Sequence, residues 1–267
     1  MASRYRQPAL IICRTVIERL LWLPLILLLI PLATATTASD SKPAAELRPY
    51  VAEYRTRARG FNLNITRQLD TSENNRYVLT NRGTILVGGF HEVCVFSVQD
   101  QQILPKSYVY RGTCLVDRRR EVHFNRATGD ISSLYKDEWH HLPYTPQTLD
   151  RMSQLEQLRL ILLSEGQPLA RLTMRVADGK RVKDSELVLV AEEVVQTPLG
   201  PVDTLHFERL HDDDERKSDI WLAPEWDYLM VKTVHIEDGD PVEMVLTHAT
   251  LGGQAVTSSE PPGHSRP

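Results

Sequence analysis

From Tyr50 onward the chain alternates. Tyr50, Ala52, Tyr54, Thr56 and Ala58 are interleaved with Glu53, Arg55, Arg57 and Arg59, and a two-residue period is that of a strand with one face buried and the other in water. The pattern returns at Asn62 to Leu69, Arg76 to Ile85, Glu92 to Val98, Ile103 to Gly112 and Glu121 to Asn125, between Asn, Asp and Gly clusters that suit turns. A spacing of roughly 10 to 15 residues per strand leaves no room for crossover helices, so neighbouring strands are expected to pair antiparallel.

One segment departs from this period. Leu149, Met152, Leu155, Leu158, Leu162 and Leu163 recur at three- and four-residue intervals, the spacing of one helical face. Pro146 suits the entry and Gly166 the exit, which predicts a helix from Leu149 to Ser164 with its apolar stripe on the sheet. The β pattern then resumes through Arg171 to Ala177, a hairpin turn at Asp178-Gly179, Arg181 to Ala191, a turn at Thr197-Pro198-Leu199-Gly200, Val202 to Arg209, Asp219 to Leu222, Val231 to Glu237 and Val242 to Leu251. The expected fold class is mainly β, an antiparallel curved sheet or barrel-like domain with one amphipathic helix packed on it. No repeat or internal linker divides it, so one domain over 48–251 is expected, then a Gly-, Ser- and Pro-rich tail over 252–267 with too little apolar surface to order itself.

The first 35 residues read differently. Arg4, Arg6, Arg14 and Arg19 precede Leu20 to Leu32, a run without charges or amides, and Ala33-Thr34-Ala35 follows as a small-x-small sequence. That order is the layout of a secretory signal peptide, with an uncleaved anchor as the competitor. Thirteen helical residues reach only about 20 Å, against about 30 Å of bilayer hydrocarbon. A lipid anchor would need a cysteine just after the run, and Cys13 precedes it. Residues 36–47 read as a linker. Without the first 35 residues the chain keeps 27 basic and 34 acidic side chains, four arginines and one glutamate having been removed. A net charge near −7 provides no global field for nucleic acid. The expected compartment is the periplasm, with membrane contact only through the N-terminal segment.

Cys94 and Cys114 remain in that part of the chain. A hairpin turning around Gln101 to Pro105 would set them nearly opposite one another, and an oxidising compartment would let them pair. A Cys94–Cys114 disulfide is therefore expected, with two buried thiols as the alternative.

Four landmarks in the second half carry a resemblance: Asp150-x-x-Ser153-x-x-x-x-Leu158-Arg159, Asp178-Gly179-Lys180, Thr197-Pro198-Leu199-Gly200 and Trp221-Leu222-Ala223-Pro224. In this order and spacing they resemble the domain of unknown function 3108 family. The likeness is strongest from Gln147 to Val231 and looser from Tyr50. Leu229-Met230-Val231 stands where such sequences often read Leu-Pro-Val. The resemblance implies an exported bacterial protein with a β-rich, barrel-like or curved-sheet fold, and it implies no activity and no catalytic residue.

Chemistry-bearing groups read mostly as structure. His211-Asp212-Asp213-Asp214-Glu215 offers hard oxygen ligands but lacks the spaced D-x-D-x-D-G of a calcium loop, so a solvated loop is expected. His140-His141 point to opposite faces of a strand, and His206, His235 and His248 have no partner at zinc spacing. No metal or cofactor is expected. Asp137-Glu138 and Glu192-Glu193 are not placed across a cleft by anything in the sequence. Ser153 with a histidine could form a hydrolase site, but no G-x-S-x-G elbow exposes it. Its expected role, with Asp150 and Arg159, is in polar contacts that pin helix to sheet. Arg55, Arg57 and Arg59 on one strand, and Arg118-Arg119-Arg120 in a turn, read as solvated surfaces. Tyr108, Tyr110, Trp139 and Trp221 are the candidate lining of a concave apolar surface for a lipid-like ligand or an envelope protein partner. A binding or envelope-assembly protein is thus the first functional reading, with a cell-envelope hydrolase and a structural interaction partner as alternatives.

Overall fold

The alternation that begins at Tyr50 is realised in a computed structural model as one large sheet, described over residues 45–258 apart from 59–60, 74, 86–87, 115, 212–215 and 238. The expected signal segment, 1–35, lies outside the described residues. The strands are β1 (Tyr50–Ala58), β2 (Phe61–Ser72), β3 (Arg76–Ile85), β4 (Gly88–Gln99), β5 (Gln102–Cys114), β6 (Val116–Asn125), β7 (Asp130–Tyr135), β8 (Glu138–Pro143) and β9 (Leu149–Asp150). After helix α1 (Ser153–Glu165) come β10 (Arg171–Asp178), β11 (Arg181–Thr197), β12 (Gly200–Leu210), β13 (Lys217–Ala223), β14 (Leu229–Glu237), β15 (Asp240–Leu251) and β16 (Gln254–Ala255), with a 3₁₀ turn at Pro224–Trp226. No helix among the described residues is long and apolar enough to cross a membrane.

Two meanders share this sheet. Its order is β8-β7-β6-β5-β4-β3-β2-β1-β15-β14-β13-β12-β11-β10-β9, so β1 joins the meanders by pairing with both β2 and β15. Pairing is antiparallel except where β9 runs parallel to β10. The sheet curls without closing: across the gap between its ends, Ser133 Oγ donates to the Gly179 carbonyl at 2.7 Å, and the Tyr135 ring sits over Gly179. Gly179 has φ +62°, the left-handed conformation that the two-residue β10–β11 turn requires.

Helix α1 lies in the concave interior. Leu158, Leu160 and Leu162 are buried, but so are Glu156, Gln157 and Arg159, so the expected amphipathic stripe is corrected to a helix enclosed on its polar side as well. What makes that burial tolerable is a charge network. Glu156 Oε1 accepts from the Tyr50 hydroxyl at 2.7 Å and from Arg67 Nη2 at 2.9 Å, while Oε2 accepts from Arg159 Nη1 at 2.6 Å. Arg67 Nε also donates to the Tyr50 oxygen, and the Arg159 guanidinium lies 4.8 Å from the Tyr50 ring centroid. Arg159 Nε reaches the Asp227 carbonyl at 3.1 Å. Burial opposes ionisation of Glu156, yet the Arg159 and Arg67 guanidiniums and the Tyr50 hydroxyl outweigh it and hold the carboxyl below its ordinary range.

The helix begins later than its periodicity suggests. Leu149 and Asp150 are extended and pair with Val176 and Ala177, and the buried Asp150 carboxylate accepts from the Met152 and Ser153 N–H groups at 2.8 and 3.1 Å. That side chain satisfies first-turn donors and sets the start. Either conformation buries Leu149, which is why its spacing did not distinguish them. Gly166 ends the helix at φ 66°, its N–H on the Leu162 carbonyl.

The expected disulfide is not formed. The β4–β5 turn falls at Asp100-Gln101, both at positive φ, rather than at Gln101 to Pro105. Cys94 therefore stands opposite Tyr108, and Cys114 opposite Gly88. The two lie six strand positions apart, about 20 Å by strand rise, far beyond the roughly 7 Å that a disulfide spans between Cα atoms. Cys94 is a buried free thiol whose Sγ donates to Asp150 Oδ2 at 3.1 Å. Burial, and after it the Asp150 carboxylate, push its pKa well up.

Three further differences concern the ends and the middle. The expected linker already packs at Ala45 and Leu47, the latter fully buried. The expected tail carries β16 and buries Val256, whose N–H bonds the Ala249 carbonyl. β7 and β8 were not visible as strands because Ser132, Ser133, His140 and His141 interrupt their apolar alternation.

Glu156→Gln is expected to lower unfolding free energy at pH 7 by about 3–5 kcal/mol, because two buried guanidiniums lose their anion. The folded-state pKa of Glu156 is depressed, so its contribution is present above the ordinary value of 4.5 and is lost as pH falls through the lower folded value. Urea unfolding of both proteins from pH 7 to pH 3 should show the difference between them shrinking in acid. Cys94 should resist iodoacetamide in the native state and react after denaturation without reductant, which peptide mass mapping reads directly.

Candidate ligand cavity

Inward positions along the strands are mostly apolar, and the exceptions line up. The register connects Arg67, Asn81, Glu92, Tyr110 and Arg120 across β2 to β6. Arg67 Nη1 donates to Asn81 Oδ1, Asn81 Nδ2 to Glu92 Oε2, both at 3.1 Å, and the Tyr108 hydroxyl to Glu92 Oε1 at 2.8 Å. Across the other meander, Leu187, Arg209, Ser218 and His235 are opposite one another from β11 to β14. Ser218 Oγ lies 2.9 Å from His211 Nε2 and 2.8 Å from His235 Nδ1.

Between these rows, beside the start of α1, lies a cavity of about 670 Å³. Met152, Leu155, Leu187, Ile220, Met230 and Met244 are among the apolar groups that line it. Its cationic lining is Arg67, Arg120, Arg151, Lys183, Arg209 and Arg216, against the carboxylates of Glu92, Asp178 and Asp219. Asp219 is engaged by His206 at 2.8 Å and Lys217 at 3.4 Å, and Asp178 lies 3.8 Å from Lys183. Arg209 Nη2 donates to Gln154 Oε1 at 2.6 Å, to which Ser185 Oγ also donates, and its Nε is buried without a partner. A site of this size with apolar walls and a few convergent polar groups has the ordinary make-up of a small-molecule pocket.

The four aromatic residues expected to line the concave surface do not come together, and none lines this cavity. Tyr108 is buried on Glu92, and Tyr110 stacks on Phe90 at 6.4 Å. Trp139 is half exposed against His123. Trp221 stacks on His206 at 4.2 Å and donates to Glu193, on the face opposite Phe207. Each already has a neighbour that satisfies its ring or polar atom.

Asp150, Ser153 and Arg159, expected to pin helix to sheet, make separate contacts, and those of Ser153 are local to Asp150. Ser153 is fully buried and its Oγ donates to Asp150 Oδ2 at 2.8 Å; no histidine is among its bonding partners. Asp150 reaches the sheet through Cys94, and Arg159 reaches Asp227. Among the described residues no cluster of three or more His, Cys, Asp or Glu could hold a metal. Asp212 to Glu215 and Arg59 lie outside the described residues.

The cationic lining was missed because its members are scattered over the chain. Arg118 to Arg120 lie in strand β6 rather than a turn, and there Arg120 lines the cavity, 5.3 Å from the Tyr135 ring centroid. The signal that could have found them was a charge in the inward register: Arg67 between Ile65 and Leu69, and Arg209 after Leu205 and Phe207.

No curated protein matches the chain. A candidate exported protein with a YmcC-like fold from Bacteroides fragilis matches at 10% identity and a TM-score of 0.29, over 77% of this chain and 96% of its own. A candidate lipoprotein from Parabacteroides distasonis matches at 12% identity and a TM-score of 0.28, over 78% and 97%. The family model described as "Protein of unknown function (DUF3108)" matches residues 49–247, which is the whole sheet from β1 into β15 together with α1, and the chain belongs to that family.

Proposed function

We propose that the domain is a non-catalytic binding protein of the cell envelope that holds an amphiphilic, lipid-like ligand in the cavity beside α1. The observation that carries this reading is the lining: methionine, leucine and isoleucine side chains share one 670 Å³ space with arginines and a lysine. Apolar surface that accepts a chain and donors that fix a polar end are the two requirements of such a ligand. Thioether side chains suit variable chains because they adapt their shape at low cost. The basic, then apolar, then small-residue order of residues 1–35 supports export. The buried Cys94 thiol is neutral on compartment.

The hydrolase reading is weaker by one specific observation, since Ser153 is sealed from solvent and bonded to Asp150. A purely structural partner would not need an internal cavity.

Native mass spectrometry of protein purified without detergent should show an adduct of lipid mass, and fatty acids should displace a bound fluorescent probe such as 1-anilinonaphthalene-8-sulfonate. Protein that carries no adduct and gives no displacement would remove the reading.

A further inference from the structure

Charge is distributed unevenly in this domain. The chain is acidic overall, at net −4, yet the cavity gathers six arginine and lysine side chains against three carboxylates. Like charges brought together in a partly desolvated space repel, and the arrangement is stabilised only by counter-charge. Several cations find that charge within the protein: Arg67 on Glu156 at 2.9 Å, and Lys183 near Asp178 at 3.8 Å. Arg151 is held at 4.0 Å from Glu92.

Arg209 does not. Among the described residues no carboxylate lies within ion-pair distance of it, its side-chain hydrogen bond is to the neutral Gln154 amide oxygen, and its Nε is buried and unpartnered. Burial, and then the neighbouring Arg151, pull it below the ordinary arginine value, with Asp178 opposing. His211 reports the same field: burial lowers its pKa, and Arg209, His235, Arg216 and Lys183 lower it further. A guanidinium fixed by an amide while its buried Nε lacks an acceptor is arranged to take an anion as the other half of a charge-assisted pair.

Building on the ligand-binding reading, we propose that Arg209, with Arg151 and Lys183, forms a headgroup subsite for a phosphate monoester, the apolar part of the ligand lying against Met152, Leu155 and Leu187. Three cations gathered on one side of the cavity, one of them without a carboxylate of its own, suit a group that carries about −1.5 to −2 at neutral pH better than a single carboxylate. The planar fork of arginine matches phosphate oxygens in pairs, and lysine adds a point charge. The shared chemistry is the phosphate, whether on an amphiphile or free in solution, and the probes below separate the two.

Isothermal titration of the full protein with dodecyl phosphate, dodecyl maltoside and inorganic phosphate, the amphiphiles kept below their micelle concentrations, tests the proposal. Dodecyl phosphate should bind at least tenfold more tightly than dodecyl maltoside, with an affinity that falls as salt is raised. Arg209→Gln should reduce dodecyl phosphate affinity about tenfold and leave dodecyl maltoside unchanged. Lys183→Gln, at an exposed position, should act in the same direction, so the test survives if Arg209→Gln fails to fold. Equal affinity for the two amphiphiles, or equal loss for both in the variants, overturns the headgroup subsite and leaves the ligand-binding reading standing. Inorganic phosphate bound in an Arg209-dependent way, with neither amphiphile bound, supports the anion subsite and sinks the amphiphile. Absence of binding by all three probes sinks both.

Discussion

A glutamate held between two arginines at the centre of a β domain is the contact on which the other features rest. Desolvating three charges costs far more than one neutral hydrogen bond returns, so the arrangement persists only because every oxygen of Glu156 is occupied: Tyr50 and Arg67 on one, Arg159 on the other. Those partners come from β1, β2 and α1. The network therefore fixes the depth and rotation of the helix within the curved sheet, which burial of leucines alone would leave free to slide, since apolar contact is non-directional.

The position of the helix decides what interior space remains. Leu158, Leu160 and Leu162 are fully buried around the helix, and Gln157 takes the Ile103 N–H and donates to the Gln101 carbonyl, tying α1 to the β4–β5 turn. At the start of the helix, Met152, Gln154 and Leu155 line the cavity. Gln154 joins both roles, since its amide oxygen receives Ser185 and Arg209 and so aims a cation of β12 from a residue of α1. A sheet that curls without closing permits this, because its two ends meet through side chains such as Ser133 on Gly179 rather than through a ladder.

Much of the fold was legible as period. Alternation located twelve of the strands, and the leucine spacing found the helix, because half-burial imposes a pattern on neighbouring residues that needs no knowledge of distant ones. The hairpin turns at Gly179 and at Pro198-Leu199 were legible from backbone chemistry. The Cys94–Cys114 pairing failed for a related reason. Its geometry depended on a turn centre, and a displacement of two or three residues there moves the cross-strand partner by twice as much. Strands β7 and β8 carry too few apolar residues to show a face.

The sequence by itself determined the class of fold, the presence of one helix and the family, all of which follow from local periodicity and ordered short motifs. Tertiary structure alone decided which charges meet. Arg67, Lys183 and Arg209 lie on β2, β11 and β12 and Arg151 in the turn between β9 and α1, and their sequence neighbours make each look like an isolated exception to burial. Only the folding of two meanders around a helix carries them into one space, because electrostatic interaction depends on distance through space and not along the chain.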